Sequence, residues 1–326
     1  MSNFTVIVTD DRYSSYREEE EVLGSVGATL RVLQLSSEDE AIRELSGADG
    51  ILVNLFPLTG RIIRSLDRCK VISRYGVGYD NVDVRAATEK GICVARVPDY
   101  CFEDVSDQAL ALLLGCIRKV AFKDRKVRAG EWNLHKAQPT HRVRGKKLGL
   151  VGFGGVARCL NRKVSGFGLA EVLVCDPFVT AEDIRAAGAK AVDMKTLLAE
   201  ADFISMHVPL GKDTQSLIGE IEIGMMKRSA ILINTSRGPV VNESALTEAL
   251  RSGRIAGAGL DVFEKEPLPP ESPLRSIDTV ILSDHAGWFS EESIVELKKK
   301  AAQNVADVLE GRMPAYPVNL LREEKA

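Results

Sequence analysis

Short apolar runs bounded by turn residues alternate with amphipathic stretches along most of the chain, and this alternation constrains the fold more than any other feature. It is the pattern of βα units stacked around parallel sheets, because a strand covered on both faces reads as a continuous apolar run. The first hundred residues supply "TVIVTD", "TLRVLQ", "GILVNL", "KVISRY" and "GICVAR" as strands. Helix-period segments such as "EDEAIREL" and "GRIIRSLD" lie between them, enough for a five-stranded sheet. A second series begins at "KKLGLVGFG" and continues through "EVLVCD", "DFISMHV", "AILINTS", "IAGAGLDVF" and "TVILSDH". With 326 residues the chain exceeds one ordinary core, so the two series predict two doubly wound parallel-sheet α/β domains.

Between the series lies "EDVSDQALALLLGCIRKVAFKDRKVRAG", acidic at its start and basic at its end, as a helix prefers. Its centre, Ala109 to Leu114, is apolar on every face and must be covered all round. Burial between domains, between the subunits of a homodimer, or within one core would each meet that need. A second long helix is expected over "EESIVELKKKAAQNVADVLEG", stopped by Gly311 and Pro314, and "LREEKA" reads as a frayed tail.

Charge narrows the partners. Lys plus Arg number 43 against 46 Asp plus Glu, without a long basic run, so neither nucleic acid nor a membrane is expected and a small molecule is. The start lacks the pattern of a signal peptide and no apolar stretch is long enough for a membrane span, which predicts a cytoplasmic protein. Cys69, Cys93, Cys101, Cys116, Cys159 and Cys175 show neither CxxC pairing nor metal-like spacing. They are read as reduced, buried small hydrophobes, with no metal expected.

The most specific stretch is "KKLGLVGFGGVARCLNRKVSGFGLAEVLVCDPF". Gly152, Gly154 and Ala157 follow a strand and open a helix, and Asp176 ends the next strand, which is the context a dinucleotide fingerprint requires. Gly152 permits the turn, Gly154 lets backbone approach a pyrophosphate, and Ala157 allows close helix packing. The amides opening the helix, from Gly155 through Val156 to Ala157, would receive the pyrophosphate. Asp176 would accept from the adenosine ribose hydroxyls and repel a 2′-phosphate, and Pro177 and Phe178 bring no compensating cation, so NAD is favoured over NADP.

Three polar residues follow strands of the second series, where open α/β sheets place their ligands. They are Arg237 in "NTSRGPVV", Glu266 in "GLDVFEKEP" and His285 in "SDHAGW". Guanidinium, carboxylate and imidazole together suffice to hold a substrate carboxylate, orient a base and move a proton. Taken singly, a surface arginine, a solvated carboxylate and a capping histidine would be the preferred readings.

The glycine loop with Asp176, then "NTSRGPVV", "GLDVFEKEP" and "DHAGW" in that order, resembles the D-isomer-specific 2-hydroxy acid dehydrogenases over nearly the whole chain. The resemblance implies a flavodoxin-like substrate domain of residues 1–100 and 290–326, interrupted by a Rossmann NAD-binding domain of residues 101–289. It implies that Arg237, Glu266 and His285 are catalytic and that the "RYGVGYDNVD" loop binds substrate carboxylate through Val77 and Gly78. That loop also reads as a backbone nest, or as a plain turn before a helix opened by Asn81 or Asp83. Further implied cofactor contacts are His207, Val208, Pro209, Thr235, Ser236 and Asp261. Asp284 stands where the family usually has proline, a departure next to the histidine.

Within the family, "DHAGWFSEES" and "VPDYCFEDVSD" are most similar to the branch that includes the C-terminal-binding-protein co-repressors, which implies that Trp288 lines the substrate pocket. A packing tryptophan is the equal alternative; in a pocket, the indole would favour an apolar side chain. The expected activity is NAD-dependent interconversion of a D-2-hydroxy acid and its 2-oxo acid. The alternatives are a dimeric NADH-sensing binding protein and a 3-phosphoglycerate dehydrogenase without a regulatory domain.

Overall fold

The computed structural model describes residues 4–132 and 139–319. The chain divides into two compact units, residues 1–101 with 290–326, and residues 102–289. The expected tail at 321–326 lies outside the described residues.

In the first unit, β1 (Phe4–Val8), β2 (Ala28–Val32), β3 (Gly50–Val53), β4 (Val71–Arg74) and β5 (Cys93–Ala95) form a parallel sheet ordered β2-β1-β3-β4-β5. This is the flavodoxin-like order. β3 is buried along its whole length and edge strand β2 is largely open, which is why one reads as a solid apolar run and the other does not. Asp83, rather than Asn81, caps the helix Val84–Glu89 by accepting from the Ala86 amide at 2.9 Å. The helix Glu291–Leu309 belongs here: Asn304 Nδ2 donates to the Arg96 carbonyl at 3.1 Å and Lys298 pairs with Glu18.

In the second unit, β6 (Lys147–Val151), β7 (Glu171–Cys175), β8 (Lys190–Ala191), β9 (Phe203–Met206), β10 (Ile231–Asn234), β11 (Gly257–Leu260) and β12 (Val280–Leu282) form a parallel sheet ordered β12-β11-β10-β9-β6-β7-β8. Strand order reverses between β6 and β9, which opens the crevice above the carboxyl ends where Rossmann sheets take ligands. Helix Phe102–Arg118 lies on this sheet through Leu112 and Cys116, and Gly259 in β11 makes room for it, since a Cβ there would fall 2.8 Å from that of Leu112.

Two features depart from the pattern. The single helix expected over 103–130 is two, Phe102–Arg118 and Val120–Arg128, separated by Lys119 in the left-handed region at φ 59°. The Lys119 side chain is buried and its amine donates to the Ala256 carbonyl at 3.3 Å, so a tertiary contact fixes the break that periodicity cannot reveal. Strand β8, with two residues, is too short to leave an alternation in the sequence.

Candidate active site

The cradle after β6 depends on glycine at a position no other residue fills easily. Gly152 sits at φ 88°, and a Cβ on it would lie 2.8 Å from the His207 carbonyl oxygen. Gly154 differs: a Cβ there meets nothing within 4 Å among the described residues, so its smallness answers no neighbour among them and leaves backbone open to an approaching ligand. Gly155 begins the helix Gly155–Lys163 and faces the Phe102 ring, while Ala157 is fully buried. The Gly155, Val156 and Ala157 amides precede the first intrahelical bond, which runs from Arg158 to Gly154, and Gly154 offers no side-chain cap. Three donors and the positive end of the helix dipole therefore face the crevice.

Asp176 closes this cradle from the end of β7. Its Oδ2 accepts from the Phe153 amide at 2.7 Å and its Oδ1 from the Phe178 amide at 2.8 Å, leaving lone pairs on both oxygens for ribose hydroxyls. The nearby cation Arg158 is committed to the Phe153 carbonyl at 3.1 Å and to the Phe153 ring. Among the described residues Asp176 forms no ion pair, so its carboxylate would oppose a 2′-phosphate, which fits NAD.

His207 and Thr235 follow β9 and β10 on the same edge of the sheet, ahead of Val208 and Pro209 and of Ser236. Among the described residues the buried His207 Nε2 and Thr235 Oγ1 have no hydrogen-bond partner, as expected of groups left for a ligand. Burial pushes the His207 imidazole down to about 4. These orphaned atoms, the open glycine and the free helix amides fit a dinucleotide.

The loop after β10 carries Arg237. Asn234 pins it by accepting from the Ser236 amide at 3.0 Å and donating to the Arg237 carbonyl at 3.0 Å. Gly238 follows, where a Cβ would fall 1.9 Å from the Phe263 carbonyl, so only glycine lets this loop cross the one that bears Glu266. Arg237 donates to the Ser236 carbonyl at 2.8 Å and, among the described residues, forms no ion pair within 4 Å. Its charge nevertheless reaches Glu266.

Glu266 uses both oxygens. Oε1 accepts from the Phe263 amide at 3.0 Å and Oε2 meets His285 Nδ1 at 2.7 Å. Burial alone would raise this carboxyl, but the hydrogen bonds from His285 and Phe263 and the charges of His285 and Arg237 hold it below its usual range. An ionised carboxylate can only accept, so Nδ1 carries the proton and Nε2 takes no part in this contact.

His285 itself stands at φ 58°, a conformation that costs a non-glycine residue roughly 1–2 kcal/mol. Hydrogen bonds to Asp261 hold it there: the His285 amide donates to the Asp261 carbonyl at 2.9 Å, and the Asp261 carboxylate accepts from Ser283 Oγ, the Ala286 amide and the Gly287 amide. Asp261, which the resemblance implies for the cofactor, is thus the anchor of the histidine loop. Asn234, Ser283 and Gln108, which also reaches Asp261, were not singled out in the sequence. Asn234 alone left a local signal, an Asn opening "NTSRG" with turn-forming neighbours. Beyond His285, Trp288 is half-buried and its ring meets the exposed Phe289 edge to face at 5.7 Å.

In the other unit, Gly76 at φ 124° turns the chain after β4 and presents Val77 at the surface. Among the described residues the Val77 and Gly78 amides donate to no protein acceptor, and Arg96 holds the Val77 carbonyl at 3.3 Å. The described residues hold no cluster of three or more His, Cys, Asp or Glu placed for a metal ion, and no helix long and apolar enough to cross a membrane.

A Rossmann sheet with an NAD cradle, and an imidazole–carboxylate pair on the same edge, define a nicotinamide-dependent dehydrogenase. Residues 110–287 match the family model described as D-isomer specific 2-hydroxyacid dehydrogenase, NAD binding domain, and the chain belongs to that family. A glyoxylate reductase of Korarchaeum cryptofilum is 40% identical over 266 residues, 81% of this chain and 80% of that protein. A D-3-phosphoglycerate dehydrogenase of Archaeoglobus fulgidus is 35% identical over 90% of this chain but only 56% of its own length. The crystal structure of a glyoxylate reductase from Paecilomyes thermophila superposes with a TM-score of 0.88 at 30% identity, covering 98% of this chain and 99% of that one. The protein is an NAD-dependent oxidoreductase that interconverts a hydroxy acid and its oxo acid.

Proposed function

We propose that His285 is the acid/base of this reaction, that Glu266 orients it, and that Arg237 binds the substrate carboxylate. The observation that carries the reading is the 2.7 Å contact between His285 Nδ1 and Glu266 Oε2, which leaves Nε2 as the exchangeable position. Bound NAD supplies hydride acceptance or donation. In the reducing direction His285 gives its Nε2 proton to the carbonyl oxygen of the oxo acid, and in the oxidising direction it takes the hydroxyl proton. Arg237, without a carboxylate partner among the described residues, presents paired donors to the substrate carboxylate and draws electron density from the neighbouring carbonyl. We assign the amides of Val77 and Gly78, which donate to no protein acceptor among the described residues, to substrate binding through a carboxylate.

For the cofactor, the Gly155, Val156 and Ala157 amides take the pyrophosphate and Asp176 the adenosine ribose. His207, Val208, Pro209, Thr235, Ser236 and Asp261 line the rest.

The preferred acids are small, with a hydrogen or an apolar side chain. Two relatives named glyoxylate reductase support the small end of that range, and the aromatic pair Trp288 and Phe289 supports the apolar end. A phosphorylated substrate is the second reading, favoured by the Archaeoglobus relative. The likeness of "DHAGWFSEES" to the co-repressor branch supports a dinucleotide-sensing role alongside chemistry. A homodimer is supported by the helix Phe102–Arg118, where Ala111 is exposed and Leu110 and Leu114 are half-buried. Six free cysteines favour the reducing cytoplasm.

The test is His285→Ala and Arg237→Ala. The first is expected to lose most turnover with NADH binding kept, and the second to raise KM for the oxo acid sharply and lower kcat as well. Unaltered turnover in either variant removes that residue from its role.

A further inference from the structure

The loop 283–287 that holds His285 lacks a restraint where one would be most direct. Asp284, immediately before the histidine, is exposed and makes no hydrogen bond among the described residues. What fixes the loop arrives from its sides. Ser283 Oγ donates to Asp261 Oδ1 at 2.6 Å, the Ala286 amide to the same oxygen at 3.1 Å, and the Gly287 amide to Asp261 Oδ2 at 2.9 Å.

Asp261 is itself buried and, among the described residues, forms no ion pair, so neutral donors alone solvate its charge. The remaining donor is Gln108, from the helix Phe102–Arg118. Its Nε2 donates to Ser283 Oγ at 2.8 Å and lies 3.4 Å from Asp261 Oδ1. The stem of Gln108 also packs on the loop, because a Cβ on Gly287 would fall 3.3 Å from its Cγ and 2.9 Å from Asp261 Oδ2. Gly287 is therefore the size that lets the loop close onto Asp261, with Gln108 packed beside it.

We propose that Gln108 is a positioning residue for the proton step, acting through Ser283 and Asp261 to hold His285 where Glu266 and a substrate can both reach it. By occupying one acceptor site on Ser283 Oγ, the carboxamide directs the hydroxyl proton toward Asp261 and locks the residue two before the histidine. The side chain touches neither substrate nor reacting atoms; its effect reaches the chemistry through loop placement. The inference rests on the reading of His285 as acid/base.

The test is Gln108→Met, which keeps an unbranched stem and removes the donor, compared with Ser283→Ala and the double variant. Gln108→Met should lower kcat about ten-fold, a displacement effect of the kind expected when a reacting group shifts by a fraction of an ångström, with NADH affinity unchanged. Because both residues act through one contact, the double variant should be no slower than the slower single variant within about two-fold. A solvent isotope effect on kcat that increases in Gln108→Met would mark the proton step as the one slowed. Wild-type kcat in Gln108→Met, a loss matched by lost NADH affinity, or multiplicative losses in the double variant would overturn the proposal. If Gln108→Met does not fold, Ser283→Ala carries the test with the same isotope readout, and wild-type kcat there overturns it. His285→Ala separates the two levels, since full turnover in that variant refutes the reading of the site whatever Gln108 does.

Discussion

Replacing Glu266 by glutamine tests the pairing at the centre of the site, because the two side chains have the same shape and differ in what they can accept. Glu266 takes the Phe263 amide on one oxygen and His285 Nδ1 on the other. Glutamine has a single oxygen, so one of these donors loses its acceptor, and the new amide hydrogens face a group that already donates. A hydrogen bond to a charged group contributes about 1.5–3 kcal/mol. The two side chains are 36% and 41% exposed, so the lower part of that range applies. Since about 1.4 kcal/mol is ten-fold in rate, kcat/KM for the oxo acid should fall about ten- to thirty-fold in Glu266→Gln. Initial rates of NADH oxidation measure it, with a fluorescence titration to show that NADH still binds. The variant should also lose an acid limb. A carboxyl held below its ordinary value keeps its interaction until pH falls through that lowered value, and glutamine has no such transition. A kcat/KM within about two-fold of wild type would refute the reasoning, because the contact would then have no part in the transition state.

Two further outcomes follow from the cofactor cradle. Asp176→Asn should shift the ratio of kcat/KM for NADPH against NADH by about ten-fold toward NADPH, because it removes the charge that faces a 2′-phosphate; an unchanged ratio would show that Asp176 does not discriminate. His207, held down at about 4 by burial, stays neutral in the folded chain while an unfolded histidine gains a proton below about 6.5. Folding stability should therefore fall as pH drops through that window, by up to roughly 3 kcal/mol, and His207→Gln should show a shallower decline in thermal unfolding between pH 7 and pH 4.5. Parallel declines would mean that His207 protonates in the folded state as freely as in the unfolded one.

Both sheets were legible as apolar runs because parallel strands covered on two faces need little else, and the glycine turn was legible because Gly152 requires a backbone region other residues avoid. Arg237, Glu266 and His285 could be named from their motifs and from strand ends, but their convergence could not. It depends on Gly238 passing the Phe263 carbonyl and on Asp261 gathering the amides of a loop that follows it by two dozen residues. Neither contact leaves a periodicity. The break at Lys119 escaped for the same reason, since "CIRKVAF" has good helix formers on both sides and the carbonyl that holds the lysine amine belongs to Ala256. Gln108 sits in the acidic start of a helix and reads there as one more polar surface residue.

The most direct test of the function is to mix the purified protein with NADH and a panel of 2-oxo acids, unsubstituted, apolar, hydroxylated, dicarboxylic and phosphorylated, and follow the loss of nicotinamide absorbance. Selective turnover of glyoxylate or of an apolar 2-oxo acid is the expected result. Bound NADH with none of the acids reduced would contradict the assignment of His285, Glu266 and Arg237 to catalysis and leave dinucleotide sensing as the role of the cradle.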